Sequence, residues 1–122
     1  MKIVSIETLR NDRFPNILHV QVYTDTGIVG LGETFFGACA VESYIHESIA
    51  PLLLGADPLA IDATMKRIEG YVGYDGAGVE MRGNSAVNIA LWDIFGQQVD
   101  QPLYQLLGGL SRPEIRTYNT CA

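Results

Sequence analysis

Basic side chains are scarce in this sequence of 122 residues. Eight lysines and arginines stand against fourteen aspartates and glutamates, which gives a formal net charge of -6 at pH 7. A protein that binds nucleic acid or an anionic membrane gathers positive charge for the phosphate groups of its partner. The charge balance therefore predicts that the chain binds neither nucleic acid nor a membrane surface.

Cysteines and long apolar runs are also scarce. The two cysteines, Cys39 and Cys121, lie far apart, which favours neither a zinc site nor a disulfide framework, so we expect free thiols. The segment from Met1 to Asn11 alternates in polarity and carries charged residues, so it is typical of neither a signal peptide nor a membrane span. We expect a cytoplasmic location.

The hydrophobic fraction of 48% is typical of a folded domain, and the chain is long enough for one core. Alternating polarity predicts strands over Lys2 to Arg10, Ile17 to Thr24 and Ile28 to Thr34. The short Asp-Thr-Gly sequence between the last two predicts a hairpin turn, so the strands should form an antiparallel meander. Gly30 and Gly32 leave room on one face of the third strand, where we expect another element to pack closely.

Helical periodicity follows the strands. Apolar residues recur at helical spacing from Val41 to Leu52, with Pro51 as an expected kink and Gly55 as the stop. The Asp57-Pro58 pair predicts the start of a second helix, because aspartate caps a helix and proline suits its first position. The apolar stripe of this second helix runs to Val72.

The stretch from Ala86 to Val99 is apolar on almost every side of a helical wheel. It predicts a buried central helix capped by Asn84 or Ser85. We expect Trp92 to fill the space between the helices and the sheet, and Asp93 to be a structural anchor, because a buried carboxylate needs hydrogen-bond donors. A proline and a glycine pair then close the segment. The residues with expected structural roles are Trp92, Asp93, Pro102, Gly108 and Gly109.

These elements predict an α+β fold, in which a three-stranded antiparallel meander is followed by a layer of three helices. The glycine-rich piece from Gly73 to Gly78 does not join a strand directly to a helix, so we expect a loop and not a phosphate cradle. Glu114 to Ala122 predicts a further strand, which has no partner in the first sheet. We therefore expect one domain over residues 1–111 and the start of a second over 112–122.

Several motifs in the second half of the chain are specific enough to indicate a family. Ala-Leu-Trp-Asp-Ile at 90–94, Gly96, Pro102-Leu103 and Leu-Leu-Gly-Gly at 106–109 resemble the N-terminal domain of the mandelate racemase and muconate lactonizing enzymes, a branch of the enolase superfamily. Gly-Leu-Gly-Glu at 30–33 also agrees with that family. Three residues depart from its pattern, namely Asn88 in place of aspartate, Gln97 in place of lysine and Asp100 in place of glycine. Aspartate still suits the left-handed end of a helix.

The resemblance implies a cap domain over a separate C-terminal β/α barrel, with Asp93 as a structural anchor between the two. Enzymes of this family remove the proton alpha to a carboxylate, and Mg²⁺ stabilises the resulting ene-diolate. The family holds its metal ligands and catalytic bases at barrel strand ends, so we expect no catalytic residue, metal ligand or bound cofactor within this chain. The implied partners are the protein's own barrel, a small carboxylic-acid substrate and further copies of the chain in a homo-oligomer.

The resemblance also implies that Arg10 to Asn16 and Thr34 to Cys39 contact the part of the substrate remote from the reacting carbon. Arginines there can offer planar donors to a carboxylate, and phenylalanines can wall the pocket. The alternatives are a solvated loop with an ion pair to Asp12, and ordinary packing of the phenylalanines. The candidate substrate-binding residues are Arg10, Asn11, Arg13, Phe14, Phe35, Phe36 and, near the end of the last predicted strand, Asn119.

Three functions remain open at this point. The first is the cap of a magnesium-dependent acid-sugar dehydratase, which is a lyase. The second is the same cap in an isomerase, either a racemase, an epimerase or a cycloisomerase. The third is a free-standing, non-catalytic α+β binding or oligomerisation module. The preference for an acid sugar rests on the polar residues from Arg10 to Asn16. An open reading frame that continues beyond Ala122 would favour the first two functions, and a stop codon there would favour the third.

Overall fold

The computed structural model describes residues 1–69 and 78–119. It confirms the predicted α+β fold, because three antiparallel strands form one sheet in the order β1-β2-β3 and the helices follow them. The strands are β1 (Ile3–Asn11), β2 (Phe14–Thr24) and β3 (Val29–Phe35). The helices are α1 (Ala38–Tyr44), α2 (Ala50–Leu53), α3 (Ile61–Ile68), α4 (Val79–Val99) and α5 (Leu103–Leu106).

The first two strands extend further than the sequence predicts. β1 ends at Asn11 and β2 begins at Phe14, so a tight turn replaces the loop expected from Arg10 to Asn16. The Oδ1 atom of Asn11 accepts a hydrogen bond from the backbone N–H of Arg13 at 2.7 Å, which closes the turn. The extension was not predicted because the exposed end of a hairpin has no buried face and therefore no alternating pattern.

The first predicted helix is present but is not uniform. A π-helical turn over Ile45–Ile49 joins α1 to α2, and Pro51 lies in the first turn of α2. Proline has no backbone N–H to donate to the carbonyl one turn earlier, so a wider turn before it accommodates the missing hydrogen bond. Gly55, with a φ of 81°, ends this segment as predicted.

Helix α3 begins later than predicted. The Oδ1 atom of Asp57 accepts from the backbone N–H of Leu59 at 3.0 Å, and the carbonyl of Asp57 accepts from the N–H of Ala60 at 3.3 Å. A side-chain oxygen that suits a helix cap also suits an Asx turn, and here the turn precedes the helix. The predicted end of the helix at Val72 and the glycine-rich piece up to residue 77 lie outside the described residues.

Helix α4 begins at Val79, well before its predicted start. Asn84 and Ser85 lie inside the helix and are not caps, which corrects the prediction. Asn84 is buried, its Nδ2 donates to the carbonyl of Ile68 at 3.3 Å, and its Oδ1 accepts from the Tyr44 hydroxyl at 3.5 Å. The amide thus joins α4 to α3 and α1. Such contacts between distant parts of the chain leave no local signal in the sequence.

The hydrophobic core lies between the sheet and α4. A Cβ atom built on Gly30 would overlap the carbonyl of Ala90, and one built on Gly32 would overlap the carbonyl of Ala86. The prediction of a close approach at these glycines is confirmed, and the approaching element is α4. The core residues that α4 contributes are Ala86, Val87, Ala90, Leu91 and Ile94.

Trp92 does not lie in this core, which corrects the prediction from the sequence. It is half-buried on the flank of α4 that faces α3, with its ring centroid 5.9 Å from that of Phe95. Ile89 is 44% exposed, so α4 is buried on one face only despite its apolar composition. Because the helix backbone approaches β3 so closely, the positions against the sheet take alanine and leave no space for an indole.

The chain after α4 follows its predicted end signals. Asp100 is left-handed with a φ of 51°, Pro102 precedes α5, and Gly108 and Gly109 have φ values of 111° and 93°. The prediction of a strand is wrong for residues 114–119, which have no regular secondary structure and are exposed. A strand needs a neighbour to pair its backbone groups, and no described strand lies beside this segment. Residues 120–122 lie outside the described part.

We predict that Gly32→Ala destabilises the domain by about 3 kcal/mol or more, because the added methyl group would force α4 away from β3. Leu31→Ala is the matched control, since this neighbouring side chain on β3 is exposed and its loss should cost less than about 1 kcal/mol. Urea unfolding followed by circular dichroism measures both free energies. A Gly32→Ala cost as small as that of the control would contradict the close contact.

We predict that Leu91→Ala lowers the free energy of unfolding more than Trp92→Ala does, although tryptophan is the larger side chain. Leu91 is fully buried, so its truncation leaves a cavity and should cost about 2 to 5 kcal/mol. Trp92 is half-buried on a flank, so its truncation should cost about 1 to 2 kcal/mol. The same unfolding experiment compares them, and a larger cost for Trp92 would place the indole in the core after all.

Candidate substrate-facing site

The structure brings the two candidate segments together. β3 pairs with β2, so the end of β3 lies beside the start of β2, with Phe35 opposite Ile17. Beyond this pair, the backbone N–H of Phe36 donates to the carbonyl of Asn16 at 2.7 Å. The β1–β2 turn and the β3–α1 turn thus form one continuous surface. We call it the tip cluster, and it consists of Arg13, Phe14, Phe35 and Phe36.

A shallow cavity of about 180 Å³ opens in the tip cluster. Aromatic rings and one guanidinium contribute to it, and its lining residues are Arg13, Phe14, Pro15, Asn16, Ile17 and Phe35. A cavity of this composition suits a group with an apolar side and a hydrogen-bond acceptor that an arginine can reach. It is large enough for one end of a small molecule.

Arg13 has no acidic partner in the described part of the chain. Its guanidinium carbon lies 5.6 Å from the centroid of the Phe14 ring, in a cation–π arrangement. The ion pairs of the described residues involve other side chains, so the ion pair with Asp12 considered above does not form. The guanidinium of Arg13 can therefore offer planar donors to an acceptor from outside the chain.

Arg10 and Asn11, the other polar candidates, have internal partners. The Nε atom of Arg10 lies 2.8 Å from Oε2 of Glu42, and the hydroxyl of Thr8 donates to Oε1 of the same carboxylate at 3.0 Å. The Oδ1 atom of Asn11 already accepts from the N–H of Arg13. These contacts tie the hairpin to α1 and shape its turn, and they leave Arg13 as the arginine best placed to meet a ligand.

The two phenylalanines of the β3–α1 turn point outward. Phe35 and Phe36 are 60% and 59% exposed, which disfavours the alternative that they simply pack the turn. The segment predicted from Thr34 to Cys39 is shorter in the structure, because only Phe36 and Gly37 separate β3 from α1. Phe36 has a φ of 77°, a left-handed conformation that is rare outside glycine.

Arg82 is a neighbour of the tip cluster that no local pattern in the sequence indicates. It lies in the first turn of α4, donates through Nη1 to the carbonyl of Phe35, and holds its guanidinium carbon 5.5 Å from the centroid of the Phe36 ring. The predicted helix began after Arg82, which placed this residue in a loop. Recognising the longer helix would have required the buried contacts of Asn84, which the local sequence does not show.

Asn119 is not among the residues that line the cavity of the tip cluster. It belongs to the exposed segment of residues 114–119, which has no regular secondary structure. Its expected place in the site depended on the strand prediction. The structure therefore does not bring Asn119 together with the other candidates in that cavity.

Asp93 anchors α4 to β3 within this domain, and its expected role as an anchor to the barrel stays a prediction. Its Oδ2 atom accepts from the backbone N–H of Leu31 at 2.8 Å and from Nε2 of Gln97 at 2.9 Å. Gln97 Nε2 also donates to the carbonyl of Val29 at 2.8 Å. Two side chains of α4 thus satisfy backbone groups on the outer edge of β3, where another strand would otherwise pair.

The described residues do not fit a magnesium site. No group of three or more histidine, cysteine, aspartate or glutamate side chains comes together among them in a way that could hold a metal ion. Mg²⁺ needs several oxygen ligands in near-octahedral geometry, and isolated carboxylates do not supply them. Within this same part of the chain, no helix is long and apolar enough to cross a bilayer.

A larger groove of about 740 Å³ lies between α3 and α4, beside Trp92. Asp62 on its rim accepts from Nζ of Lys66 at 2.8 Å, and this hydrogen bond and charge raise the pKa of Lys66. A catalytic lysine base has a lowered pKa, and the pKa of Lys66 is shifted in the opposite direction. Elsewhere, desolvation and then the charge and hydrogen bond of Glu7 raise the pKa of Tyr23. Both groups therefore stay protonated at neutral pH.

The fold and the tip cluster define a class of protein, namely a small α+β domain whose turns expose arginine and aromatic side chains at one end of the sheet. The chain belongs to the family of mandelate racemase / muconate lactonizing enzyme N-terminal domains, whose pattern matches residues 3–108. This match confirms the resemblance seen in the motifs at 90–109.

Relatives and solved structures agree with this assignment. An enolase of the mandelate racemase subgroup from Agrobacterium tumefaciens is 58% identical, with a TM-score of 0.93 over 97% of this chain and 32% of its own. A D-galactonate dehydratase family member from Streptomyces bingchenggensis is 37% identical over 95% of this chain and 29% of its own length. A D-xylonate dehydratase from Haloferax volcanii is 38% identical over 96% of this chain and 28% of its own length. The chain thus spans roughly a third or less of the length of these proteins.

We predict that Asp93→Ala costs about 1 to 2 kcal/mol of stability, because the backbone N–H of Leu31 and the amide of Gln97 lose their common acceptor. Gln98→Ala is the control, since Gln98 lies on the same helix and is exposed, and its loss should cost less than about 0.5 kcal/mol. Thermal and urea unfolding measure both. Equal costs would mean that the edge of β3 does not depend on Asp93.

Proposed function

We propose that this chain is the substrate-selecting cap of a magnesium-dependent enzyme that removes the proton alpha to the carboxylate of an acid sugar and dehydrates it. The observation that carries the proposal is Arg13, a guanidinium with no described acidic partner beside a shallow aromatic cavity. The relatives named as D-galactonate and D-xylonate dehydratases support the acid-sugar class. They also support a longer protein, because the chain covers only about 30% of each.

In this proposal the chemistry belongs to a barrel domain of the same polypeptide. Mg²⁺ there would stabilise the ene-diolate that forms when the alpha proton leaves, and residues of the barrel would hold the metal and act as bases. The partners of the chain are that barrel, the acid substrate and further copies in a homo-oligomer. Residues 112–122 would lead from the cap into the barrel, which keeps the proposed domain boundary after residue 111.

The cap contributes binding and exclusion of water. Arg13 would donate to an acceptor at the end of the substrate remote from the reacting carbon, and the phenylalanines of the tip cluster would cover that end. Contacts to a remote group can lower the barrier of the chemical step when their energy is used to close and orient the site. Selection of one acid sugar over another would then depend on the fit of that remote end.

A second candidate function is an isomerase of the same superfamily. The 3,6-anhydro-D-galactonate cycloisomerase from Zobellia galactanivorans is 30% identical over 93% of this chain, with a TM-score of 0.82. A cap of this kind therefore also occurs on a cycloisomerase that is named for a sugar acid. Product analysis separates the two, because a dehydratase releases a keto-deoxy acid and an isomerase conserves the composition of its substrate.

The 122-residue chain alone should catalyse no exchange at the alpha carbon of a sugar acid, because no group of side chains in its described part could hold a metal ion and the proposed bases belong to the barrel. The whole polypeptide that contains it should catalyse exchange that depends on Mg²⁺. NMR detection of deuterium uptake over a panel of sugar acids, with and without a chelator, measures both. Exchange by the short chain, or exchange by the whole protein that persists with the chelator, would contradict the proposal. A coding sequence that ends at Ala122 would also contradict it and would favour a non-catalytic module.

Arg13→Met in the whole enzyme should raise KM for the preferred acid sugar about tenfold, because one charge-assisted hydrogen bond is lost. Arg10→Met should leave KM within about twofold, because Arg10 is paired with Glu42. Arg67→Met on the exposed side of α3 is the matched control for a lost surface charge. Steady-state kinetics measure KM for all three variants. An Arg13 variant with the same KM as the Arg67 control would show that the tip cluster does not contact the substrate.

A further inference from the structure

The first turns of α4 are held in place by other helices. Gly83 lies against Tyr44, since a Cβ atom built on it would come within 2.8 Å of Cδ1 of that ring. Asn84, the next residue, is buried and donates to the carbonyl of Ile68. Arg82 directly precedes both residues, so its side chain projects from a backbone that packing fixes on two sides.

Arg82 reaches from this helix to the turn after β3 and makes two contacts there. Its Nη1 atom donates to the carbonyl of Phe35, and its guanidinium carbon lies 5.5 Å from the centroid of the Phe36 ring. A planar guanidinium can stack on a ring and donate in its own plane at the same time, whereas an ammonium group has no flat face. Arg82 thus holds two consecutive residues of the tip cluster.

Phe36 needs such support because its backbone is strained. A φ of 77° is costly for any residue with a Cβ atom, and a strained residue keeps such a conformation only when its surroundings hold it. The hydrogen bond from the N–H of Phe36 to the carbonyl of Asn16 is one support. Arg82 gives the second support, on the ring of Phe36 and on the carbonyl that precedes it.

The position of Phe35 connects this support to the cavity. Phe35 lines the cavity together with Arg13 and Phe14, and its carbonyl is the group that Arg82 binds. A relaxed turn would move the Phe35 ring relative to the guanidinium of Arg13. The shape of the cavity therefore depends on a residue that does not line it.

We propose that Arg82 is a positioning residue for substrate selection, which holds the Phe35–Phe36 turn in the shape that completes the cavity of the tip cluster. This inference rests on the proposed function, because it assigns Arg82 a part in the same site. Arg82 acts through Phe35 and Phe36 and touches no substrate. The cavity fits acid sugars whose remote end places an acceptor at Arg13 and C–H groups on the ring of Phe35.

The first test measures the turn itself and needs no activity. In the whole polypeptide, hydrogen–deuterium exchange of the Phe36 amide should become about tenfold faster in Arg82→Met, because the strained turn loses a support. Arg82→Lys keeps the charge without the flat face and should show an intermediate rate. Arg67→Met on the remote helix α3 is the control, and its Phe36 amide should exchange at the wild-type rate.

The second test measures selection between substrates. For two acid sugars that differ only at the remote end, Arg82→Met should lower the ratio of their kcat/KM values about fivefold to tenfold, mostly through KM. Phe36→Gly relieves the strain, because glycine adopts a positive φ freely. In a Phe36→Gly background, Arg82→Met should therefore have a much smaller effect on both measurements than in the wild-type background.

The outcomes separate this inference from the proposed function. Unchanged exchange at Phe36 in Arg82→Met would overturn the positioning role, whatever the activity of the enzyme. Faster exchange with an unchanged substrate ratio would overturn the role in selection. A wild-type polypeptide that acts on no acid sugar would overturn the proposed function and the role of Arg82 in substrate selection. The exchange rate of the Phe36 amide would still show whether Arg82 holds the turn.

Discussion

The close contact between α4 and β3 is the constraint on which the rest of the structure depends. Gly30 and Gly32 have no side chains, so the backbone of α4 lies directly on the strand and alanines are the helix residues that fit against it. This contact buries one face of α4 and brings Asp93 and Gln97 to the outer edge of β3, where they bond its backbone groups. A larger side chain at either glycine would move the helix and all that it supports.

The tip cluster follows from that contact. β3 ends at Phe35 and leads directly into Phe36, it is paired to β2 along its whole length, and the first turn of α4 supplies Arg82. The cluster is thus exposed but is held by rigid elements, which a site for selecting a ligand requires. Outward-facing aromatic rings beside an arginine without a described acidic partner form a local surface that can meet an apolar group and a hydrogen-bond acceptor together.

Much of the fold could be predicted from the sequence, and the failures have physical causes. The meander and the close approach at Gly30 and Gly32 were predictable, because alternation and glycine placement are local signals. The start of α4 was not, because Asn84 acts through contacts with distant helices and not as a cap. Of the candidate site, the sequence indicated the two segments, but it could not show that Glu42 engages Arg10 or that Arg82 supports Phe36. These are tertiary contacts, which no local pattern encodes.

A crystal structure of the whole polypeptide with Mg²⁺ and an unreactive acid-sugar analogue tests the proposed role of the tip cluster most directly. We predict that the carboxylate next to the reacting carbon binds the metal in the barrel, and that the remote end of the analogue lies in the tip cluster. A nitrogen atom of Arg13 should then lie about 3 Å from an oxygen atom of the ligand. An analogue bound in the barrel with the tip cluster turned away and no contact to Arg13 would contradict that role.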